Sequence, residues 1–247
     1  MLLLRRAGSV VSRVVSRVAS FSRERGFTAV VRSCARWGLD WWRGRPSRGR
    51  DHGSFEWEGR RIPYFVHDYH YTWLNERAVE VALALEVLER HRGASVLEIG
   101  NVLGHYAPVD HTVVDKYEAA PGVLNRDVAD LDLGRHFDLV LAISTLEHVG
   151  LDEDVLDEDK PVRAVERLRA HVAPGGLLWV THPVGYNPAL DARFRDGTLG
   201  ATRMRALRRE PSRNVWREVP LDEVWGTPYD RLLYTAHAVV VAEFDAP

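Results

Sequence analysis

The residues with chemistry to offer stand at the ends of apolar runs. Glu98 closes the run Val96-Leu97, and Gly100-Asn101-Val102-Leu103-Gly104 follows. A glycine loop after an apolar strand is where α/β proteins hold nucleotides. Gly100 and Gly104 do not make the GxGxxG of a dinucleotide loop, and no Gly-Lys-Ser/Thr of a phosphate loop occurs in the chain. Glu98 at a strand end repels a pyrophosphate and suits a ligand with a cationic amino group. Asp115, 17 residues beyond Glu98, can accept hydrogen bonds from both hydroxyls of an adenosine ribose. Asp127-Val128 and Ser144-Thr145-Leu146-Glu147-His148 stand at the ends of two further segments, and His182-Pro183 with Gly185-Tyr186-Asn187 at another.

Alternating strands and helices must position these residues. Asn75–Arg92 reads as a helix closed by Gly93. Strands are expected at Val96–Ile99, Thr112–Asp115, Gly122–Arg126 and Phe137–Ser144, the last apolar enough for burial on both faces. Pro161–His171 reads as a helix, Pro174-Gly175-Gly176 as a turn and Leu177–Thr181 as a strand. Such alternation predicts a parallel sheet with helices on both faces. Thr202–Leu207 and Val215–Val219 read as a hairpin, and Ala236–Phe244 as a final strand.

Taken in order, these segments resemble the class I S-adenosylmethionine-dependent methyltransferases. "VLEIGNVLG" is similar to that family's first motif, "VVDKYE" to its second-strand acid and "NRDVADLDL" to the stretch with an adenine-side aspartate. "FDLVLAISTLEHV" and "LRAHVAPGGLLWVTHP" are similar to its fourth- and fifth-strand motifs. "YHYTWLNERAVE" and "GYNP" also resemble a bacterial subgroup. The resemblance implies an α/β fold: a Rossmann-like, mostly parallel sheet with an antiparallel C-terminal strand, in one domain with an N-terminal helical arm. It implies S-adenosyl-L-methionine as cofactor. By matching position, Gly100, Asn101 and Gly104 frame the loop under the methionine part, and Glu98 serves the cationic end, directly or through backbone or water. Asp115 takes the ribose, Asp127 and Val128 the adenine, and Ser144 and Thr145 the methyl end. Val102 departs from the pattern, which usually has glycine there for close backbone approach.

Methyl transfer to an alcohol needs a base for the departing proton. His148 is the candidate, with Glu147 either orienting it or capping the next turn. His148 reads equally as a cap or packing residue, and His182 as a contact to the acceptor or a plain turn residue. No Asn/Asp-Pro-Pro-aromatic motif follows the fourth strand, where "STLE" stands. That weighs against methylation of amino groups in adenine, cytosine or glutamine. The expected acceptor is a small molecule methylated at oxygen: a sugar, a lipid-linked compound or a secondary metabolite. The alternatives are a catalytically silent cofactor-binding subunit, with Val102 as its lesion, and an NAD-linked oxidoreductase, which the glycine spacing disfavours. "LDEDVLDEDK", residues 151–160, is read as a solvated acidic run rather than a metal site.

Charge divides the chain. The net is −2, yet residues 1–50 hold twelve arginines against Glu24 and Asp40. The arm is therefore +10 and the remainder −12. An acidic body disfavours nucleic acid as partner. The Val-Ser-Arg repeats and the tryptophans beyond them fit peripheral membrane contact through residues 9–43; they also fit a transit-peptide-like arm or a helix packed on the body. A single cysteine, Cys34, excludes an intrachain disulfide and fits a reducing, cytoplasmic setting, with membrane association as the variant. The expected divisions are 1–50 (basic arm and linker), 51–92 (cap segment) and 93–247 (core).

Overall fold

The computed structural model describes residues 18–19, 21–23, 26–44, 52–210 and 214–247. The Val-Ser-Arg repeat over residues 10–17 and most of the linker lie outside them. In chain order the elements are α1 (Phe27–Gly44), β1 (Ser54–Trp57), β2 (Arg60–Pro63), α2 (Arg77–Arg90), β3 (Val96–Ile99), β4 (Thr112–Val114), β5 (Val123–Leu124) and β6 (Phe137–Ile143). There follow α3 (Lys160–Ala170), β7 (Val172–Pro183), α4 (Pro188–Arg195), β8 (Arg203–Arg209), β9 (Trp216–Val219) and β10 (Ala238–Asp245).

Eight strands form one sheet in the order β5-β4-β3-β6-β7-β10-β8-β9. The first five of that order run parallel. Then β10 inserts antiparallel between β7 and β8, and β9 pairs antiparallel on β8. This is the Rossmann-like sheet with an antiparallel C-terminal strand that the sequence predicts.

The central strand β6 shows why the sheet needs helices on both faces. Leu139, Leu141 and Ile143 pack with Val79, Leu83 and Val87 of α2 on one face. Val140 and Ala142 pack with Val165 and Leu168 of α3 and Leu190 and Phe194 of α4 on the other. Alternating side chains thus both reach a core, so the strand reads as continuously apolar.

Three local features differ from the sequence expectation. The aromatic stretch after the linker holds a hairpin, β1–β2, turned by Glu58 (φ 52°) and Gly59 (φ 70°). Two successive positive φ values are the two-residue turn that matches strand twist; Glu-Gly is a weaker signal for it than Asn-Gly. Pro174-Gly175-Gly176 is an excursion inside one long strand, where Phe137 pairs Val172 and Leu139 pairs Leu177. Helix α4 is additional: Asn187 caps it, accepting from the Leu190 N–H at 3.2 Å, and Pro188 occupies its first turn.

Candidate active site

Beside β3 the chain order reverses, with β4 on one side and β6 on the other. Such a point opens a crevice beyond the carboxyl ends of the strands. A cavity of about 450 Å³ lies there, lined among others by Gly100, Asn101, Val102, Asp115, Asp127, Val128, Ser144, Thr145 and His148. Gly100 turns out of β3 at φ +79°, and a Cβ there would meet the Thr145 Oγ1 at 2.4 Å. Only glycine lets the β3 and β6 loops approach so closely. Ser144 turns out of β6 at φ 42°, held by its N–H to the Thr181 Oγ1 at 3.0 Å.

Val102 sits at φ −82°, ψ −50°. That is ordinary right-handed backbone, open to a β-branched residue. Backbone conformation therefore does not require the glycine expected by the pattern.

Glu98 has a different place from the one expected. It is fully buried and does not line the cavity. Its Oε1 accepts the N–H groups of Val102 and Leu103, both at 2.8 Å, and its Oε2 meets the His111 Nε2 at 2.7 Å. Both oxygens thus hold the loop, and neither is turned to a ligand's cation. Gly104 also stands back from the cavity. Its missing side chain makes room for Asn101, whose Oδ1 would lie 2.2 Å from a Cβ there. Asn101 in turn donates to the Glu118 Oε1 at 2.7 Å.

Asp115 keeps one oxygen for a ligand. Its Oδ1 accepts from the Tyr117 and Glu118 N–H groups at 2.8 and 2.7 Å. Its Oδ2 has no partner in the hydrogen bonds of the described residues. Asp127 is more occupied than the sequence reading expects. Its Oδ1 accepts from the Ala129 N–H at 3.1 Å, while Oδ2 pairs with Lys116 at 2.8 Å and Lys160 at 2.6 Å. Glu153 binds the same two lysines, both at 2.6 Å. Burial alone would raise the Asp127 pKa, but the two ammonium groups hold it at about 2. These are the only lysines in the chain.

His148 lines the cavity, and its Nδ1 meets the Asp152 Oδ2 at 2.5 Å. The same carboxylate oxygen accepts from the Tyr186 hydroxyl at 2.5 Å, and the Tyr234 hydroxyl lies 2.7 Å from that of Tyr186. Desolvation works against a charged imidazole here, yet the Asp152 hydrogen bond and the charge of Glu147 outweigh it and raise the pKa. Asp152, within the acidic run, is thus the residue that orients His148. Glu147 is not: it is buried, does not line the cavity, and its Oε1 lies 3.7 Å from the His148 Nε2, beyond a hydrogen bond. Burial raises its pKa, and its Oε2 has no partner among the described residues. His182 also stays out of the cavity, fully buried and paired with the Asp191 Oδ1 at 2.6 Å.

Among the further lining residues are three that the sequence does not single out: Tyr69, Arg77 and Tyr106. Arg77 opens α2, and its Nη1 donates to the Glu80 Oε2 and the Ile143 carbonyl, both at 3.2 Å. The fully buried Glu80 also accepts from the Ser144 hydroxyl. Tyr69 and Tyr106 meet edge to face at 5.8 Å. For Tyr69 the aromatic density of "YFVHDYHYTW" is the available signal, but its geometry depends on left-handed backbone at His70 (φ 56°) and Tyr71 (φ 47°); Tyr106 lies outside that stretch, in the loop after β3. Among the described residues no group of acids, histidines and cysteines is arranged to hold a metal.

No protein-family profile matches the chain, and no curated protein matches it by sequence. It is similar to solved structures. One is the sugar N-methyltransferase KedS8 from Streptoalloteichus sp ATCC 53650, at 24% identity over 43% of this chain and 48% of that one, with a TM-score of 0.32. Another is CalS10, an amino pentose methyltransferase from Micromonospora echinaspora, at 23% identity over 41% and 48%, with a TM-score of 0.31. The match spans about half the length of each of these two. A third is the N-methyltransferase NodS from Bradyrhizobium japonicum WM9 with S-adenosyl-l-homocysteine, at 17% identity over 70% and 87%, with a TM-score of 0.42. The strand order described above, rather than these scores, defines the fold.

Proposed function

We propose that this chain is an S-adenosylmethionine-dependent methyltransferase acting on an oxygen of a small-molecule acceptor. The observation that carries the reading is one cavity at the sheet's switch point where the unpartnered Asp115 Oδ2, Gly100 and the Ser144-Thr145 turn converge. A carboxylate oxygen there suits ribose hydroxyls. The remaining lining fits the rest of such a cofactor. Arg77 has its Nη2 and Nε without a partner in the hydrogen bonds of the described residues, and a guanidinium edge suits the methionine carboxylate. The rings of Tyr69 and Tyr106 offer faces to a sulfonium cation.

The cofactor, when bound, supplies an activated methyl group. What this chain must do is hold the acceptor in line, exclude water and remove a proton. His148 fits the last task. Asp152 on Nδ1 favours the tautomer whose Nε2 is free to accept the acceptor proton. The oxygen reading rests on that base, because an alcohol must lose its proton as the bond to carbon forms. The silent-subunit reading rested on Val102, whose backbone is unstrained.

Titration calorimetry with S-adenosylhomocysteine tests binding. Saturable heat that falls on Asp115→Asn is expected, and folded protein that gives no heat would overturn the assignment. Methyl-labelled cofactor with candidate alcohols and amines then tests turnover and acceptor atom.

A further inference from the structure

An apolar stripe of α1 faces away from the body. The helix docks through Trp37 and Trp41, whose rings meet Tyr71 edge to face at 6.0 and 6.5 Å, and through buried Val30. On the opposite side, Phe27 and Trp42 are each 69% exposed and Val31 51%. Phe27, Val31, Ala35, Gly38 and Trp42 recur at helical spacing and form one stripe. Arg32, Arg36 and Arg43 are exposed between it and the body, at the mouths of clefts that they line together with Arg209. A soluble surface gains nothing from two such aromatics in water.

We propose that this stripe docks the protein on the surface of an anionic lipid bilayer. Charge selects that occupant. The arginines flank the apolar stripe, where their stems can lie along the acyl boundary while the guanidiniums reach acidic headgroups. Residues 1–50 carry +10 against a body at −12, so the anionic surface is met by the arm and repelled by the rest. A second copy on the same stripe would bring two arginine rows together. A nucleic acid would use the arginines but leave Phe27 and Trp42 wet. No helix among the described residues is long and apolar enough to cross a membrane, so the contact is with the interface.

Sedimentation of the full chain with phosphatidylcholine vesicles, with and without phosphatidylserine, tests it. Binding that needs phosphatidylserine and weakens as salt rises is expected. Phe27→Ser with Trp42→Ser should weaken partition at least about tenfold. Arg32→Gln and Arg43→Gln should each weaken it about fivefold. Cys34, the single cysteine, is exposed on this same side, so a polarity-sensitive dye attached there gives a readout without those substitutions. Its emission should shift to the blue on phosphatidylserine vesicles. No sedimentation of the wild type, sedimentation indifferent to phosphatidylserine, an unshifted dye, or a dimer abolished by the serine pair would each overturn the proposal.

Discussion

The carboxylate of Glu98 accepts the backbone N–H of Val102 at 2.8 Å. That one bond, with its neighbour to Leu103, shapes the loop between β3 and β4 without a glycine at position 102. Glu98→Ala leaves two N–H groups and His111 without their partner in a buried site. The expected cost is about 3 kcal/mol of stability, read by denaturant unfolding, with S-adenosylhomocysteine affinity falling alongside. Loss of affinity with unchanged stability would instead place Glu98 at the ligand.

Val102→Gly tests the same loop from the other side. Glycine relieves no strain at φ −82°, and it frees the unfolded chain. The variant should lose about 0.5–1 kcal/mol and gain no ligand affinity. A clear gain would mean that Val102 does obstruct the cavity.

Asp115→Asn keeps an oxygen for the Tyr117 and Glu118 N–H groups but removes the anionic acceptor for ribose. Folding should survive, and S-adenosylhomocysteine affinity should drop about ten- to a hundredfold by calorimetry.

The pH profile of turnover reports His148. A base works when deprotonated, and this imidazole holds its proton more tightly than usual. The rising limb of kcat should therefore lie above the ordinary histidine range near 6.5. Asp152→Asn removes the charge that holds the proton, so the limb should move to lower pH while kcat falls. A limb unmoved by Asp152→Asn would remove His148 from the mechanism.

Asp127 ties stability to acid. Its folded pKa of about 2 lies below the ordinary 3.8, so it contributes stability above pH 4 that is lost as pH falls towards 2. The shift corresponds to about 2 kcal/mol. Lys116→Met with Lys160→Met should remove most of it and raise the midpoint of acid unfolding, followed by circular dichroism.

Elements whose signals are local are legible in the sequence. Leu139 to Ile143 read as a strand because every side chain reaches a core, and Gly93, at φ +83°, lies in the turn just after α2, which ends at Arg90 with His91 as its cap. Hairpin β1–β2 was missed because Glu58-Gly59 makes its turn from a residue that rarely takes positive φ. Helix α4 was missed although Asn187-Pro188 is a capping pair, because its eight residues are too short for a periodicity to stand out.

The sequence by itself determined the alternation of strands and helices and the strand ends where Asp115, Asp127, Ser144 and His148 would gather, because backbone propensity and side-chain period act over a few residues. Tertiary structure decided what each of them holds. Glu98 went to the loop, Asp127 to two lysines, and the orientation of His148 to Asp152 rather than Glu147. Arg77 entered the cavity only because α2 packs on β6, where Ile143 offers it a carbonyl. Partners such as Ser144 and Glu80 stand 64 residues apart. Which of a chain's many acids meets which donor depends on angstrom-scale distances that only the packed sheet and helices set.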